Sequence, residues 1–305
     1  MASNKYFFRH FIFMLTGLFN FCGTADAQDA SIDSLFVDEK KTDYVISTFD
    51  GTRVINGQSI ENIPAGSLQL LFSHRFGPIS TGIHTLYGLD QSNVRIGFDY
   101  GISQRLTAGI GRSSQKETYD TYFKYKILRQ SKGLKNMPVS VSLLASATAM
   151  TGVKNALDTV SDFSSRLTYV YQMILARKFN KKLSLQLSPT FIYRNQIQSI
   201  DDEYYVYALG LSGRHKITKR LSLTAEYFYV FSKYTADHYY NSASVGIDIE
   251  TGGHVFQLHL TNSQGMIEQF FIAKTGDNWL KKGIRLGFNI SRNFTIVKNK
   301  NTQSW

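Results

Sequence analysis

A two-residue alternation of apolar and polar side chains recurs along most of this chain and is the feature that most constrains its fold. Between residues 93 and 101, apolar and aromatic side chains occupy the even positions, and Asn93, Arg95 and Asp99 occupy odd ones. Successive side chains of a β-strand point to opposite faces, so the pattern predicts strands with one apolar and one polar face. Twelve such segments are predicted, at 67–77, 93–102, 106–113, 118–130, 138–148, 165–179, 183–194, 204–217, 221–231, 242–250, 254–262 and 283–294.

The connections between these segments differ at the two ends of the predicted strands. Tight turns are predicted at 103–105, 180–182, 218–220 and 251–253. Long polar connections are predicted at 78–92, 149–164 and 263–282, and the connection 131–137 is an exception on the tight-turn side. Most segments approach or exceed the roughly 9–11 residues that a tilted strand needs to cross a bilayer. The pattern therefore predicts an all-β fold, a transmembrane antiparallel up-and-down barrel of about twelve strands with both ends on the periplasmic side.

Composition supports a membrane barrel. The chain has 18 Tyr, 22 Phe and 23 Gly but only 4 Pro, and its mean hydropathy is slightly negative. Lipid-facing and lumen-facing residues alternate in such barrels, so an aromatic-rich chain can be polar on average. The formal net charge is +11, and the basic residues are scattered and frequent in the turns, which favours contact with anionic lipid headgroups over nucleic acid.

The first 27 residues have the pattern of an export signal. Lys5 and Arg9 provide a positive start, an apolar stretch covers 11–21, and Ala25 and Ala27 have the spacing of a signal-peptidase site, with cleavage predicted after Ala27. Cys22, the only cysteine, lies in the part that would be removed. Beyond residue 28 we find no apolar run long enough for a transmembrane helix.

Three further regions follow the predicted signal: a polar leader at 28–66, the barrel at 67–296 and a C-terminal tail at 297–305. The leader ends in a stretch from Asp50 to Gly57 that predicts turns and at most one short strand. Two alternatives remain open for it. It either enters the lumen as a plug, with Arg53 and Asn56 pairing with lumen charges, or forms a disordered periplasmic extension. The aromatic loop 263–282 predicts a short amphipathic helix over the barrel mouth or against lipid.

Several stretches resemble a family of uncharacterised outer-membrane β-barrels of the Bacteroidota, known as a domain of unknown function. They are 53–59, 73–77, 88–91, 109–114, 124–130, 176–179, 248–263 and 287–292. The resemblance covers roughly residues 50–296. It implies a barrel in the outer membrane of a Gram-negative cell. The family has no established activity, so the resemblance implies no functional residues.

The polar face of the strands predicts which side chains line the lumen. These candidates are Arg75, Arg95, Asp99, Lys124, Lys126, Glu226, Asp248, Glu250, Gln257, His259 and Arg285. Barrel diameter grows with strand number, so a twelve-stranded barrel has a lumen intermediate between a filled eight-stranded barrel and a sixteen-stranded porin. The charges either pair with each other in a closed lumen or line a narrow solute path.

Catalytic and metal chemistry are weakly supported. His259, Thr261 and Ser263 share a strand face beside Asn262, and these residue types are similar to the Ser-His-Asn site of barrel phospholipases. That face would be the lumen, which a lipid cannot easily enter, so no enzyme activity is predicted. The seven His residues are dispersed without paired ligand spacing, so we expect no metal and no cofactor.

Two hypotheses of function follow. The first is an outer-membrane channel or transporter for small solutes with a narrow or gated charged lumen. The second is a structural or interaction barrel whose outer loops bind a partner or a surface glycan. Expected partners are outer-membrane lipid, lipopolysaccharide and the barrel-assembly machinery. The sequence identifies no particular solute or surface partner.

Overall fold

The computed structural model describes residues 41–152, 163–196, 203–232 and 239–297. The predicted export signal, residues 28–40 of the leader and most of the C-terminal tail lie outside the described residues. Within the described ranges, no helix is long and apolar enough to cross a membrane.

Twelve antiparallel strands close into one barrel, as predicted, and each predicted strand end lies within two residues of the observed one. The barrel strands are β2 (Ser67–Pro78), β3 (Ser92–Gly101), β4 (Leu106–Ser113), β5 (Thr118–Leu128), β7 (Ser140–Met150), β8 (Leu167–Lys178), β9 (Leu183–Arg194), β10 (Tyr205–Lys216), β11 (Leu221–Val230), β12 (Ser242–Thr251), β13 (His254–Thr261) and β14 (Arg285–Thr295). Each strand pairs with its neighbour in this order, and β14 pairs with β2 to close the ring.

Two short strands of the described part of the chain lie outside the barrel sheet. Strand β1 (Thr42–Tyr44) pairs with β6 (Ser131–Gly133) in a separate two-stranded sheet. Strand β6 lies in the connection between β5 and β7, which explains why that connection is longer than a tight turn. The short strand of the leader is therefore at 42–44 and not within 50–57, where the described backbone forms turns and one isolated bridge, Arg53 to Gln58.

The two ends of the barrel differ as predicted. At one end, which we call the tight-turn end, residues 102–105, 179–182, 217–220 and 252–253 join consecutive strands. At the other, the long-loop end, the described connections include 79–91 and 262–284, with one short exception at 114–117. The helices within the described ranges are all short: α1 (Glu268–Phe271) and 3-10 turns at Ile79–Thr81, Ile83–Thr85, Gln115–Glu117, Phe163–Arg166 and Trp279–Lys281.

Alternation gives the wall an apolar outer face and a mainly polar inner face. On β5, Tyr119, Phe123 and Tyr125 are exposed on the outside, while Asp120 and Lys124 are buried inside. Aromatic outer faces suit lipid contact, and a polar inner face suits a lumen. Strand β8 departs from this rule, because its inner face carries the buried apolar side chains of Val170, Ile174 and Ala176.

Candidate functional site

The lumen contains a part of the leader, residues 46–63, which we call the leader segment. Just before it, the backbone N–H of Val45 donates to the carbonyl of Gln130, 2.8 Å away. Just after it, the N–H of Gly66 donates to the carbonyl of Gly101, also at 2.8 Å. Both acceptors lie at the tight-turn end. The leader segment therefore enters and leaves the lumen through the same mouth.

Within the lumen the leader segment reverses direction. The N–H of Val54 donates to the carbonyl of Gly57 at 2.8 Å, and the N–H of Ser59 donates to the carbonyl of Thr52 at 2.9 Å. These bonds close a tight hairpin whose tip is at residues 54–57. Residues 52–60 are all buried, so the hairpin is enclosed by the wall.

The hairpin tip binds one carboxylate of the wall, Glu226 on β11. The backbone N–H groups of Ile55, Asn56 and Gly57 donate to its oxygens at 3.3, 2.8 and 3.0 Å. Glu226 is 4% exposed. Hydrogen bonds to a charged acceptor in such a dry site are stronger than bonds between neutral groups. A side chain at Gly57 would place its Cβ 2.8 Å from Phe228 Cζ, so any other residue here would force the Phe228 ring or the hairpin tip to shift.

The side chain of Asn56 connects the tip to three further strands. Arg75 Nη2 on β2 donates to Asn56 Oδ1 at 2.7 Å. Asn56 Nδ2 donates to Ser244 Oγ on β12 at 3.0 Å and lies 3.5 Å from Thr261 Oγ1 on β13. The amide thus uses both its donor and its acceptor capacity inside the barrel.

The carbonyl groups of the tip are bound as well. Gln257 Nε2 donates to the carbonyl of Val54 at 2.8 Å, and Asn289 Nδ2 donates to that of Ile55 at 2.9 Å. Gln257 and Asn289 also bond to each other at 2.9 Å. Buried backbone groups require such partners because they cannot bond to bulk water.

Basic wall residues hold the base of the leader segment, nearer the tight-turn end. Lys124 Nζ donates to the carbonyls of Glu61 and Ser59 at 2.6 and 3.1 Å. Arg214 Nη1 forms an ion pair with Asp50 at 2.5 Å. Lys178 Nζ donates to the carbonyl of Ile46 at 2.8 Å. Cations on three different strands therefore bind oxygen atoms of the leader segment.

A second stretch of chain fills the lumen near the long-loop end. This loop segment, residues 263–282, includes α1, whose residues are all buried. Phe271 packs edge-on against Phe228 with ring centroids 5.0 Å apart, and Phe271, Ile272 and Ala273 form one cluster with inward apolar side chains of β8 to β11. The helix therefore lies inside the barrel and not against lipid. Arg53 Nη1 joins the two segments through an ion pair with Glu268 at 2.7 Å.

The predicted lumen residues occupy three kinds of position. Glu250 is exposed at the tight-turn rim, 3.7 Å from Lys216, and Lys126 is half-buried near the same rim. Wall-to-wall contacts are made by Arg95, which pairs with Asp120 at 2.5 Å, and by Asp248, which accepts from Gln257 at 3.1 Å. The other predicted lumen residues are buried on the inner side: Arg75, Asp99, Lys124, Glu226, Gln257, His259 and Arg285.

The four residues similar to a phospholipase site do not form a nucleophile–base pair. Ser263 Oγ donates to the carbonyl of Gly265 at 3.4 Å. Neither ring nitrogen of His259 has a hydrogen-bond partner among the described residues. Asn262 Nδ2 donates to the carbonyls of Asn241 and Asp277, so it fastens the β13 end to the loop segment. A hydrolytic site needs a nucleophile in contact with its base.

Sequence reasoning missed several residues of the site. Arg214 and Asp120 follow the same alternation as the predicted lumen residues, so strand parity could have identified them. Asp50 and Glu61 lie in the leader on either side of the plug candidates Arg53 and Asn56. Glu268 lies in an irregular loop, where no periodicity gives its direction.

An occupied lumen inside a closed wall with an aromatic outer face defines a membrane-spanning β-barrel with an internal segment. The chain belongs to the family described as "Membrane bound beta barrel domain (DUF5777)", which matches residues 49–294. The matched range begins within the leader segment, so most of that segment is part of the family's shared domain.

Solved structures similar to the chain include three porins or channels. The NanC porin is 12% identical, with a TM-score of 0.46 over 74% of this chain and 98% of that one. The KdgM porin is 10% identical, with a TM-score of 0.44 over 75% and 99%. The COG4313 outer membrane channel from Pseudomonas putida F1 is 15% identical, with a TM-score of 0.46 over 77% and 98%. No curated protein sequence matches the chain.

Proposed function

We propose that this protein is an outer-membrane channel or transporter for small solutes that is closed by its leader segment. The observation that carries this proposal is the hairpin at 46–63, which enters and leaves through one mouth and forms many polar contacts with the wall. A hairpin with both ends at one mouth can withdraw without being threaded through the barrel. Its polar groups would bond to water once outside, so the net loss is about 0.5–1.5 kcal/mol for each neutral hydrogen bond and about 1.5–3 kcal/mol for each bond to a charged group.

The proposed orientation follows from the two ends of the barrel. In outer-membrane barrels the short turns face the periplasm and the long loops face outward. We therefore place the tight-turn end, and the mouth through which the leader segment passes, on the periplasmic side. The polar leader would then be able to reach the periplasm when it leaves the lumen.

The contacts of the wall favour a gated lumen over a permanently filled one. Arg95 on β3 and Asp120 on β5 pair with each other along the inner face of the wall. Such a pair needs no partner from the leader segment. Lys124, Arg214 and Glu226 instead bind mainly the leader segment. Withdrawal of the segment would leave these charged groups facing an open, water-filled path.

An interaction barrel is the second candidate, and the loop segment favours it. Its buried apolar residues occupy part of the lumen near the long-loop end, and the long loops at that end would offer the surface for a partner. A barrel that stays shut after the leader segment is removed would fit this second function.

Conductance in planar bilayers distinguishes the two candidates. We expect the mature chain to conduct weakly and a variant lacking residues 28–62 to conduct strongly, because the lumen loses its hairpin. Heat-modifiable electrophoretic mobility would show that both barrels are folded. No conductance from the folded deletion variant would reject the channel function.

A tether tests the same proposal without a deletion. Asn56→Cys and Ser244→Cys replace two side chains that touch at 3.0 Å, and Cys22 is the only native cysteine. We expect a short thiol crosslinker that is cleaved by reductant to abolish channel openings, and reduction to restore them. The single Asn56→Cys variant is the control, which the crosslinker should leave unaffected. Openings that persist in the crosslinked protein would show that the hairpin is not the gate.

A further inference from the structure

Basic side chains are concentrated on the inner wall near the tight-turn end. This basic mouth consists of Lys124, Lys126, Lys178, Arg214 and Lys216, which lie on β5, β8 and β10. Two acidic residues of β12, Asp248 and Glu250, lie at the same mouth, and Glu250 is 3.7 Å from Lys216. The wall therefore carries an excess of positive charge where the leader segment enters.

Oxygen atoms of the leader segment bind the cations of this basic mouth. The Asp50 carboxylate lies 2.5 Å from Arg214 and 3.8 Å from Lys216, and it also accepts from Ser222 Oγ at 2.5 Å. Arg214 Nη2 donates in addition to the carbonyl of Ser47 at 3.0 Å. Lys124 reaches three oxygens, those of the Glu61 and Ser59 carbonyls and Gln58 Oε1. Carboxylate and carbonyl oxygens thus surround the cations as an anionic ligand would.

Withdrawal of the leader segment would leave the basic mouth without these oxygens. Lys124 and Arg214 are almost fully buried, and burying a charge without a partner is costly, so other acceptors must replace the lost ones. A narrow lumen with walls of low dielectric constant also focuses the field of its charges and raises the local concentration of counter-ions. Anions in the lumen would gain most from both effects.

We infer that the opened lumen selects anions, namely small solutes that carry carboxylate or phosphate oxygens, and that the leader segment occupies their binding groups in the closed state. This inference rests on the proposed channel function and names its solute class. In the closed state the Asp50 carboxylate takes the place of the solute's anionic group. In the open state Lys124 and Arg214 are the two wall residues that bind the solute's anionic group.

The inner half of the lumen does not reverse this preference. Arg95 is paired with Asp120 there, and Arg285 is paired with Asp277 of the loop segment. Glu226 and Arg75 carry opposite charges and both bind the hairpin tip, Glu226 through backbone N–H groups and Arg75 through the Asn56 side chain. Asp99, buried on β3, and Glu268, whose partner Arg53 leaves with the leader segment, add two carboxylates, so the remaining excess of positive charge lies at the basic mouth.

Reversal potentials under a KCl gradient test the inference in the variant lacking residues 28–62. We expect chloride to permeate on the order of 3-fold or more faster than potassium, because the mouth has excess positive charge. Adding Lys124→Gln and Arg214→Gln to that variant should move the ratio toward or below one. The control Arg112→Gln removes one positive charge from the outer face, where Arg112 is exposed, and should leave the ratio unchanged.

Inorganic phosphate provides a second measurement on the same channels. Phosphate added on the tight-turn side should reduce the chloride current, and the double substitution should weaken this block several-fold. A deletion variant that conducts but prefers potassium, or one that is equally anion-selective after the double substitution, would overturn the inference while leaving the channel function intact. Absence of any conductance would instead reject the channel function, and the inference with it.

Discussion

The leader segment and the loop segment both lie in the lumen, yet they are held by different forces. The leader segment binds through hydrogen bonds and ion pairs to Glu226, Lys124, Arg214 and other polar groups of the wall. The loop segment binds through apolar packing, with Phe271 and Ile272 fully buried. The two segments also enter from opposite ends of the barrel.

This difference indicates which segment can move. Polar groups that leave a polar lumen exchange one set of hydrogen bonds for another in water. Apolar side chains that leave a packed cluster lose about 1.5–3 kcal/mol each when they become exposed. The leader segment also buries Phe49, Val54, Ile55, Ile60 and Ile63, three of them in a cluster with wall residues of β5, β7 and β8, so its withdrawal costs several kcal/mol, at about 1.5–3 kcal/mol for each side chain exposed. We nevertheless expect the loop segment to be the fixed part of the lumen and the leader segment to be the mobile part.

The largest expected effect comes from the apolar side of this comparison. Phe271→Ala should lower the free energy of unfolding by about 3–5 kcal/mol, because it removes a buried aromatic ring and leaves a cavity. Urea unfolding in detergent micelles, followed by intrinsic fluorescence, would measure the change. The packing of Phe271 against Phe228 is the contact that is lost.

Phe256→Ala is the matched control for this substitution. Phe256 is 41% exposed on the outer face, so its removal should cost much less stability in the same micelles. Equal losses for the two variants would show that the loop segment is not packed as a core element, and the comparison between the segments would fail.

A smaller effect is expected on the polar side, from Glu226→Gln. The substituted amide has one acceptor oxygen and presents N–H donors to the N–H groups of Ile55, Asn56 and Gly57. A charged acceptor contributes about 1.5–3 kcal/mol. Hydrogen exchange of these backbone amides, measured by mass spectrometry, should therefore accelerate on the order of 10–100-fold, while unfolding of the barrel as a whole changes little.

Glu250→Gln, at the exposed rim, is the control for this measurement and should leave exchange at the hairpin tip unchanged. Global destabilisation by Glu226→Gln, with exchange rising equally in all strands, would mean that the hairpin and the wall form one cooperative unit. The leader segment could not then act as a separate gate.

Much of the fold is predictable from the sequence because the strands are amphipathic. Each barrel strand has an outer and an inner face, and the tight turns fix where one strand ends and the next begins. Where both faces of a strand are apolar, the alternation rule does not indicate which face points inward. On β8, Val170 and Ile174 face inward although they are apolar, because the two segments cover the inner wall there. An apolar inner face is therefore a sequence signal of an occupied lumen.

The candidate site is only partly predictable. Strand parity indicates that Arg75, Lys124 and Glu226 face inward, but it does not specify what they bind. The partners of Glu226 are backbone N–H groups, which nearly every residue possesses, so side-chain chemistry gives no sign of them. The direction of Glu268 likewise depends on the path of an irregular loop.

The smallest expected effect concerns the ion pair that joins the two segments, Arg53 with Glu268 at 2.7 Å. A double-mutant cycle with Arg53→Gln and Glu268→Gln should give a coupling energy of about 1 kcal/mol, because residues in direct contact are usually non-additive. The readout is amide exchange at the hairpin tip, which reports the leader segment alone. Arg53 also donates to the carbonyl of Asn56 at 3.1 Å, so part of its contribution does not depend on Glu268.

The outcome of this cycle decides how independent the two segments are. A second cycle, of Arg53→Gln with Glu250→Gln at the rim, should be additive and sets the error of the measurement. A coupling no larger than that error would mean that the loop segment has no influence on the hairpin, and a ligand bound by the outer loops could not affect the gate through this contact.

A coupling near 1 kcal/mol would mean that moving α1 by a small distance changes the fraction of withdrawn hairpin about 5-fold, since about 1.4 kcal/mol corresponds to a tenfold change in an equilibrium. The ion pair would then transmit an event at the long-loop end to a gate that opens at the tight-turn end.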